Sequence, residues 1–182
     1  MGKIELYKNT LLNGTMVSLR KIRKNDLKSC IKWFRDPDVA KFLSNSVKNM
    51  TEERELEWFN FINSSGCDIV FAIISKCDGQ YIGNCGLHKI DWKEKRCEFG
   101  IFIGNKKYWN KGYGTDTLKT VIDFAFFSLG LEKIKLLVYE YNHRAIKVYE
   151  NCGFAPVDKL KNYHLYNNIY WDTYVMEKNA II

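Results

Sequence analysis

Hydrophobic and polar residues alternate with a period of two in seven stretches of the chain. This period is typical of β-strands that bury one face. The predicted strands cover residues 15–22, 68–75, 81–90, 96–104, 133–139, 154–163 and 169–176. The second to fourth of them follow one another across short polar turns, which predicts an antiparallel meander.

Four other stretches have helical spacing of their apolar residues. The predicted helices cover residues 27–34, 51–64, 115–129 and 142–151. Asp36-Pro37 ends the first, because the residue before proline avoids the helical region. Gly130 is the expected stop of the third.

The order of these elements predicts an α/β (α+β) fold, with a mixed, mostly antiparallel seven-stranded sheet flanked by about four helices. There is no internal repeat and no linker, so residues 1–182 are expected to form a single domain, with residues 1–13 as a polar lead-in. The composition agrees with a packed core, since 46% of the residues are hydrophobic and 15% are aromatic. Only 2 prolines and 12 glycines argue against a disordered chain.

The net charge of +7 is compatible with nucleic acid, an anionic surface or a phosphorylated small molecule. It selects none of them, because the basic residues are spread along the chain. No apolar run is long enough to cross a membrane, and the N-terminus lacks the apolar segment of a secretory signal. Six isolated cysteines then favour a reducing cytoplasm, and neither they nor the three histidines form a metal pattern. We expect a cytoplasmic protein without a metal.

The segment from Lys106 to Asp116 is the most informative for chemistry, because it follows a strand and opens a helix. Gly112 and Gly114 allow backbone N–H groups to point at one site, to which the helix N-terminus adds its positive dipole end. Nearby charge comes from three lysines, Lys106, Lys107 and Lys111. Such a loop predicts a diphosphate cradle, although a plain tight turn has the same pattern. The P-loop and dinucleotide-binding patterns are both absent.

With the segment from Asn142 to Phe154, the sequence resembles the GNAT N-acetyltransferases, and within them the RimJ/RimL-like branch. The resemblance runs from about Val17 to Met176. Its motifs are 33–39 (WFRDPDV), 81–87 (YIGNCGL), 97–101 (CEFGI), 108–116 (YWNKGYGTD) and 142–154 (NHRAIKVYENCGF). The family loop is usually [QR]-x-x-G-x-[GA], from which Trp109 departs in its first position, and Asn110 replaces a common glycine.

The resemblance implies acetyl-CoA as co-substrate and a primary amine as acceptor, with direct attack in a ternary complex. The loop would bind the CoA pyrophosphate through Trp109, Asn110, Lys111, Gly112, Tyr113, Gly114 and Thr115. The pantetheine arm would pair with the strand residues Ile101, Phe102 and Ile103. Asn142 would contact the cofactor or simply cap its helix, and Lys147 would reach a CoA phosphate or lie exposed.

Two catalytic residues are implied in the same way. Tyr149 matches the family tyrosine that gives the CoA sulfur its proton. Glu98 would accept a proton from the amine, or it is a structural carboxylate. In the family, the strand that carries Glu98 parts from its neighbour, and a freed backbone N–H polarises the thioester carbonyl.

The acceptor stays open among three classes: the N-terminal amine of a protein, such as a ribosomal protein, an amino sugar that is often nucleotide-linked, and a polyamine such as spermidine. We place the protein amine and other small amines about level, with a polyamine behind them. An acidic run could face a polyamine or be a solvated helix start; it consists of Asp36, Asp38, Glu52, Glu53, Glu55 and Glu57. The non-enzyme alternatives are an acetyl-CoA sensor and a nucleic-acid-binding domain, the latter being disfavoured. The final hairpin offers an edge for a homodimer.

Overall fold

The computed structural model describes residues 3–47 and 49–180. Residues 1–2 of the predicted lead-in, and residues 48 and 181–182 of the predicted domain, lie outside the described residues. The described strands are β1 (Leu12–Asn13), β2 (Val17–Lys21), β3 (Ile69–Ser75), β4 (Tyr81–Asp91), β5 (Arg96–Ile103), β6 (Lys133–Tyr139), β7 (Ala155–Tyr166) and β8 (Ile169–Asn179). The described helices are α1 (Lys3–Lys8), α2 (Leu27–Phe34), α3 (Pro37–Ala40), α4 (Glu52–Ser64), α5 (Tyr113–Asp123) and α6 (His143–Asn151).

All eight described strands belong to one sheet, in the order β1-β2-β3-β4-β5-β6-β8-β7. Within the described residues, β5 and β6 form the one parallel pair, and every other neighbouring pair is antiparallel. Pairing between β5 and β6 covers only Arg96–Lys133, Cys97–Ile134 and Glu98–Lys135. Beyond Glu98 the two strands diverge, and a gap opens in the middle of the sheet.

The sheet separates two apolar regions. The larger core lies where α5 packs on β2 to β6, and it includes Phe71, Leu87 and Leu118, all of which are fully buried. A smaller cluster is formed by Ile62 of α4 and Val70 of β3. Helices α4 and α6 both begin at side-chain caps. Thr51 caps α4 by accepting a hydrogen bond from Arg54 N, and Asn142 caps α6 by accepting one from Ala145 N.

The structure confirms the fold class, but among the described residues it has one strand and two helices more than predicted. The predicted lead-in contains α1 and β1. Helix α1 depends on tertiary contacts that local periodicity does not reveal. Lys8 is almost fully buried, and its ammonium donates to the carbonyls of Ile62, Asn63 and Ser65, which caps the C-terminus of α4.

Two further differences concern helix ends. The predicted helix 115–129 begins two residues earlier, at Tyr113, and α5 ends at Asp123, where the chain continues as a π-helical turn over Phe124–Ser128. The proline at position 37, predicted as a break, occupies the first turn of the short helix α3, where its missing N–H costs nothing. Among the described helices, none is long and apolar enough to cross a membrane.

Candidate active site

A cleft of about 720 Å³ lies over the gap between β5 and β6. Its walls come from α4 and the segment after α3 on one side, and from α6 and the start of α5 on the other. Beyond Glu98, β5 stays paired with β4, but its other edge faces this gap instead of β6, and Ile101, Phe102 and Ile103 all line the cleft. An extended arm of a ligand can therefore pair with β5 along these residues.

The loop before α5 has the geometry expected of an anion cradle. Asn110 and Gly112 adopt left-handed backbone conformations, with φ of 58° and 86°. Asparagine tolerates this region better than most residues, which explains how it replaces glycine at position 110. Because Gly112 is the N-cap of α5, the amides of Tyr113, Gly114 and Thr115 start the helix without acceptors inside it. All these loop residues line the cleft.

Asp116 holds the end of this loop against the start of β2. Its carboxylate accepts hydrogen bonds from the backbone N–H groups of Thr15, Met16 and Val17, at 3.0, 2.7 and 3.0 Å. Three N–H donors on one carboxylate form strong, charge-assisted bonds. The first turn of α5 is thereby held against the start of β2.

The lysines of the loop segment do not all contribute to the cradle. Lys106 pairs with Asp36 and Asp38 at 2.8 and 2.9 Å, so its charge is already used to hold the start of α3. Lys107 and Lys111 are exposed, and Lys111 is not among the described residues that line the cleft.

Trp109 of the loop is held by two contacts. Its Nε1 donates to the carbonyl of Ile103, and the guanidinium of Arg144 lies 4.4 Å from the centroid of its ring.

Helix α6 brings Asn142 and Tyr149 to the cleft, whereas the exposed Lys147 is absent from its described lining. The side chain of Asn142 caps α6 by accepting from Ala145 N. Tyr149 is 8% exposed, and burial raises its pKa to about 12. Its hydroxyl therefore stays protonated at neutral pH and is available as a donor.

Glu98 lies at the last position of β5 that pairs with β6. Like Lys147, it is absent from the described lining of the cleft. Its carboxylate pairs with the ammonium groups of Lys89, at 3.0 Å, and Lys135, at 3.8 Å. The structure thus places Glu98 beside the vertex of the gap, but with its two oxygens engaged by cations.

The opposite wall of the cleft contains a buried carboxylate. Glu55 of α4 is 2% exposed, and its Oε1 has no hydrogen-bond partner among the described residues. Burial raises the pKa of Glu55 to about 7. Asn84 of β4 lies in the same lining, where its amide donates to Cys30 Sγ and accepts from the Tyr81 hydroxyl. A buried acceptor without a donor costs free energy, which marks this position as one that a ligand cation would satisfy.

The geometry of the cleft agrees with a comparison at the family level. Residues 17–155 match the Acetyltransferase (GNAT) domain family, which is well over half of the chain. The chain belongs to this family. Its activity is therefore acetyl-CoA-dependent N-acetyl transfer, with acetyl-CoA as co-substrate.

Individual relatives agree with the GNAT assignment. The uncharacterized N-acetyltransferase p20 of Bacillus licheniformis is 28% identical over 149 residues, which cover 81% of this chain and 83% of p20. The spermidine N(1)-acetyltransferase of Escherichia coli (strain K12) is 33% identical over 97 residues, 53% of this chain and 52% of that protein. The crystal structure of spermidine N-acetyltransferase from Vibrio cholerae, in complex with CoA and spermine, superimposes with a TM-score of 0.84 at 22% identity, covering 91% of this chain and 96% of that one. This last likeness is one of fold.

His88 and Arg144 line the cleft of this acetyltransferase but were not singled out from the sequence, and Glu55 was named only as a member of the acidic run that could face a polyamine. Glu55 is in line with Trp58, Phe59 and Ile62 at helical spacing, which could have shown that it faces inward. His88 shares its strand face with Asn84 and Gly86. For Arg144, which follows the α6 cap, no comparable signal exists.

Proposed function

We propose that this protein transfers the acetyl group of acetyl-CoA to a primary amine of a small aliphatic polyamine of the spermidine type. The observation that carries the proposal is Glu55, a buried carboxylate in the cleft with an oxygen that has no partner among the described residues. A polyamine offers a second ammonium group that can bind this carboxylate while the first is acetylated. Such a partner favours the ionised form of a buried carboxylate.

Aromatic side chains near the mouth of the cleft support an aliphatic cation. Tyr139 and Tyr141 stack with centroids 5.5 Å apart, and Phe42 stacks on Tyr141 at 6.1 Å. Phe42 and Tyr139 line the cleft. Their faces can cover methylene groups and attract ammonium groups. The partial similarity to a spermidine N(1)-acetyltransferase supports the same acceptor class.

In the transfer reaction, the loop 109–115 binds the CoA pyrophosphate, and β5 pairs with the pantetheine arm. A backbone N–H of β5 in the gap then polarises the thioester carbonyl. The amine nitrogen attacks this carbonyl, and the carbon–sulfur bond breaks. Tyr149 donates its proton to the leaving sulfur, for which its protonated hydroxyl at neutral pH is suited.

Acetylation of a protein N-terminus, the acceptor suggested by the RimJ/RimL-like resemblance, is the competing proposal. A peptide backbone offers no second ammonium group at a fixed distance for Glu55. We further propose, from the cysteine pattern, a cytoplasmic location, and from the β7 edge, a homodimer.

An acceptor panel with a thiol-release readout tests the proposal. It holds spermidine, propylamine, glucosamine and an N-terminal peptide of a ribosomal protein, and calorimetry with acetyl-CoA, CoA and ATP first establishes cofactor binding. We expect a kcat/KM for spermidine about tenfold or more above that for propylamine, which has a single amine. Glu55→Gln should remove this difference, whereas Glu57→Gln, at an exposed position of the same helix, should retain it. Turnover of the peptide without turnover of spermidine would reject the polyamine class.

A further inference from the structure

The imidazole of His88 is held by a buried carboxylate. His88 Nδ1 lies 3.0 Å from Asp68 Oδ1, and the other oxygen of Asp68 accepts from the Ser65 hydroxyl. Asp68 is 7% exposed. Burial would raise the pKa of Asp68, but the hydrogen bonds from Ser65 and His88 outweigh it and lower this pKa below its ordinary value. An ionised Asp68 accepts the Nδ1 proton of His88, so that Nε2 carries the lone pair.

The other edge of the ring lies over two glycines of the sheet. A Cβ atom at Gly86 would lie 3.0 Å from His88 Nε2, and one at Gly100 would lie 3.6 Å from the same nitrogen. A Cβ atom at Gly86 would therefore require the ring to shift by a few tenths of an ångström, whereas one at Gly100 would be in ordinary van der Waals contact with it. Gly100 is two residues beyond Glu98, where the pairing of β5 with β6 ends. The basic nitrogen of His88 thus reaches the vertex of the gap, and His88 lines the cleft.

We propose that His88, oriented by Asp68, is the general base that takes a proton from the acceptor ammonium group before it attacks acetyl-CoA. A primary ammonium group has no lone pair, and the reaction cannot begin until one proton has left. The nearest alternative, Glu98, already pairs with Lys89 and Lys135 and is absent from the described lining of the cleft. The proposal concerns the deprotonation of any primary amine and does not depend on the polyamine class.

The ammonium group loses two protons in the reaction, one to His88 and one to Tyr149. His88 Nε2 removes one proton from the ammonium group and passes it to solvent. The amine nitrogen forms a bond to the thioester carbon, the carbon–sulfur bond breaks, and the sulfur takes a proton from Tyr149. The second proton lost by the nitrogen restores the Tyr149 hydroxyl. The products are the N-acetyl amine, CoA with a free thiol and one released proton.

Several charged groups near His88 bear on any pH dependence. They are Asp68 before β3, Lys89 on β4, Glu98 on β5, Lys135 on β6 and Glu55 on α4 across the cleft. Burial raises the pKa of Glu55 to about 7, so Glu55 can by itself produce an acidic limb in the pH profile. A pH profile therefore has to be measured in Glu55→Gln as well as in the wild-type protein.

The test compares acceptors that need a base with one that does not. Spermidine and propylamine are protonated at pH 7, whereas hydroxylamine is already neutral there. In His88→Gln, kcat/KM for the more active of the two protonated amines should fall about 100-fold or more, with the acetyl-CoA Kd within about twofold of the wild type. Transfer to hydroxylamine should stay within about threefold. Added imidazole should restore part of the activity of His88→Gln, which a misfolded variant would not allow.

Two further variants distinguish the roles. Asp68→Asn should lower kcat for the protonated amine about tenfold while its KM and the hydroxylamine rate are retained, because it disturbs only the base. Glu55→Gln should leave the ratio of the propylamine rate to the hydroxylamine rate unchanged, whereas His88→Gln should lower this ratio. A His88→Gln rate within threefold of the wild type, or an equal loss with hydroxylamine, would overturn the proposal. If propylamine reacts and spermidine does not, the polyamine proposal fails while the test of His88 stands on propylamine.

Discussion

The side of the cleft proposed to bind acetyl-CoA (the acetyl-CoA side) is built mainly from backbone, whereas the side proposed to bind the amine (the acceptor side) is built from side chains. On the first side, a contiguous loop and strand present N–H groups, and the side chains largely hold that backbone in place. On the second, Glu55, Asp68 and His88 come from three separate elements and act through their own charges and ring nitrogens. A site made of local backbone can be recognised from one sequence motif, whereas a site made of side chains depends on which residues the fold brings together.

The largest effect is expected on removal of Tyr149 Oη, the group proposed to protonate the leaving sulfur. Tyr149→Phe is expected to lower kcat about 100-fold or more, because the leaving sulfur loses its proton donor. The acetyl-CoA Kd, measured by calorimetry, should change less than about twofold, because the cradle is made of backbone. Tyr170→Phe, an exposed position on β8, is the control. An unchanged kcat would remove Tyr149 from the mechanism.

The next prediction concerns the free energy of unfolding that is lost when the buried Glu55 carboxyl ionises. In the unfolded chain this carboxyl has its ordinary pKa of 4.5, and burial raises the pKa to about 7 in the folded protein. The folded state therefore binds more protons between these values, and stability falls as the pH rises from about 4.5 to about 7. Glu55→Gln should remove this loss, making the variant about 3 kcal/mol more stable than the wild type above pH 7 but not below pH 4.5.

Urea unfolding at a series of pH values measures the difference between the two proteins. Glu57→Gln should follow the wild type, because its side chain is exposed. Spermidine should reduce the difference in free energy of unfolding between the wild type and Glu55→Gln at high pH, because its ammonium group stabilises the ionised carboxylate. If the free energy of unfolding depends on pH in the same way in the wild type and in Glu55→Gln, folding does not raise the pKa of Glu55.

The same contrast explains what could be predicted from the sequence. The sheet and the main helices follow from periodicity, and β6 has the predicted bounds, 133–139. The loop before α5 could be singled out because its glycines and helix start lie next to one another in the chain, and its role in binding acetyl-CoA remains a prediction. Helix α1 could not be predicted from its six residues, because it is held by contacts such as those of Lys8 with the end of α4.

The acceptor side could not be assembled from the sequence, because its parts become neighbours only when the sheet forms. His88 contacts Asp68 across twenty residues of chain, and its ring lies close against Gly86, where a Cβ atom would be only 3.0 Å from Nε2. The assignment of Glu98 as a base remains a prediction, and its two lysine partners could not be foreseen, since Lys135 reaches it only through the parallel pairing of β5 and β6.

The smallest expected effect tests whether backbone conformation alone makes the cradle. Gly112 has a φ of 86°, and a side chain there would meet only Met16 Sδ at an ordinary distance of 3.5 Å. Gly112→Ala should therefore act through backbone strain, which costs about 1–2 kcal/mol for a residue with a Cβ in the left-handed region. Part of this strain is relieved if the loop leaves its cradle conformation, so acetyl-CoA should bind about tenfold more weakly by calorimetry. Gly130, with a φ of 70° and open space around it, lies outside the described lining of the cleft and offers the matched control. Gly130→Ala should lower the unfolding temperature to a similar extent and leave acetyl-CoA binding intact. An equal loss of affinity in both variants would mean that global destabilisation, and not the shape of the loop, weakens the site.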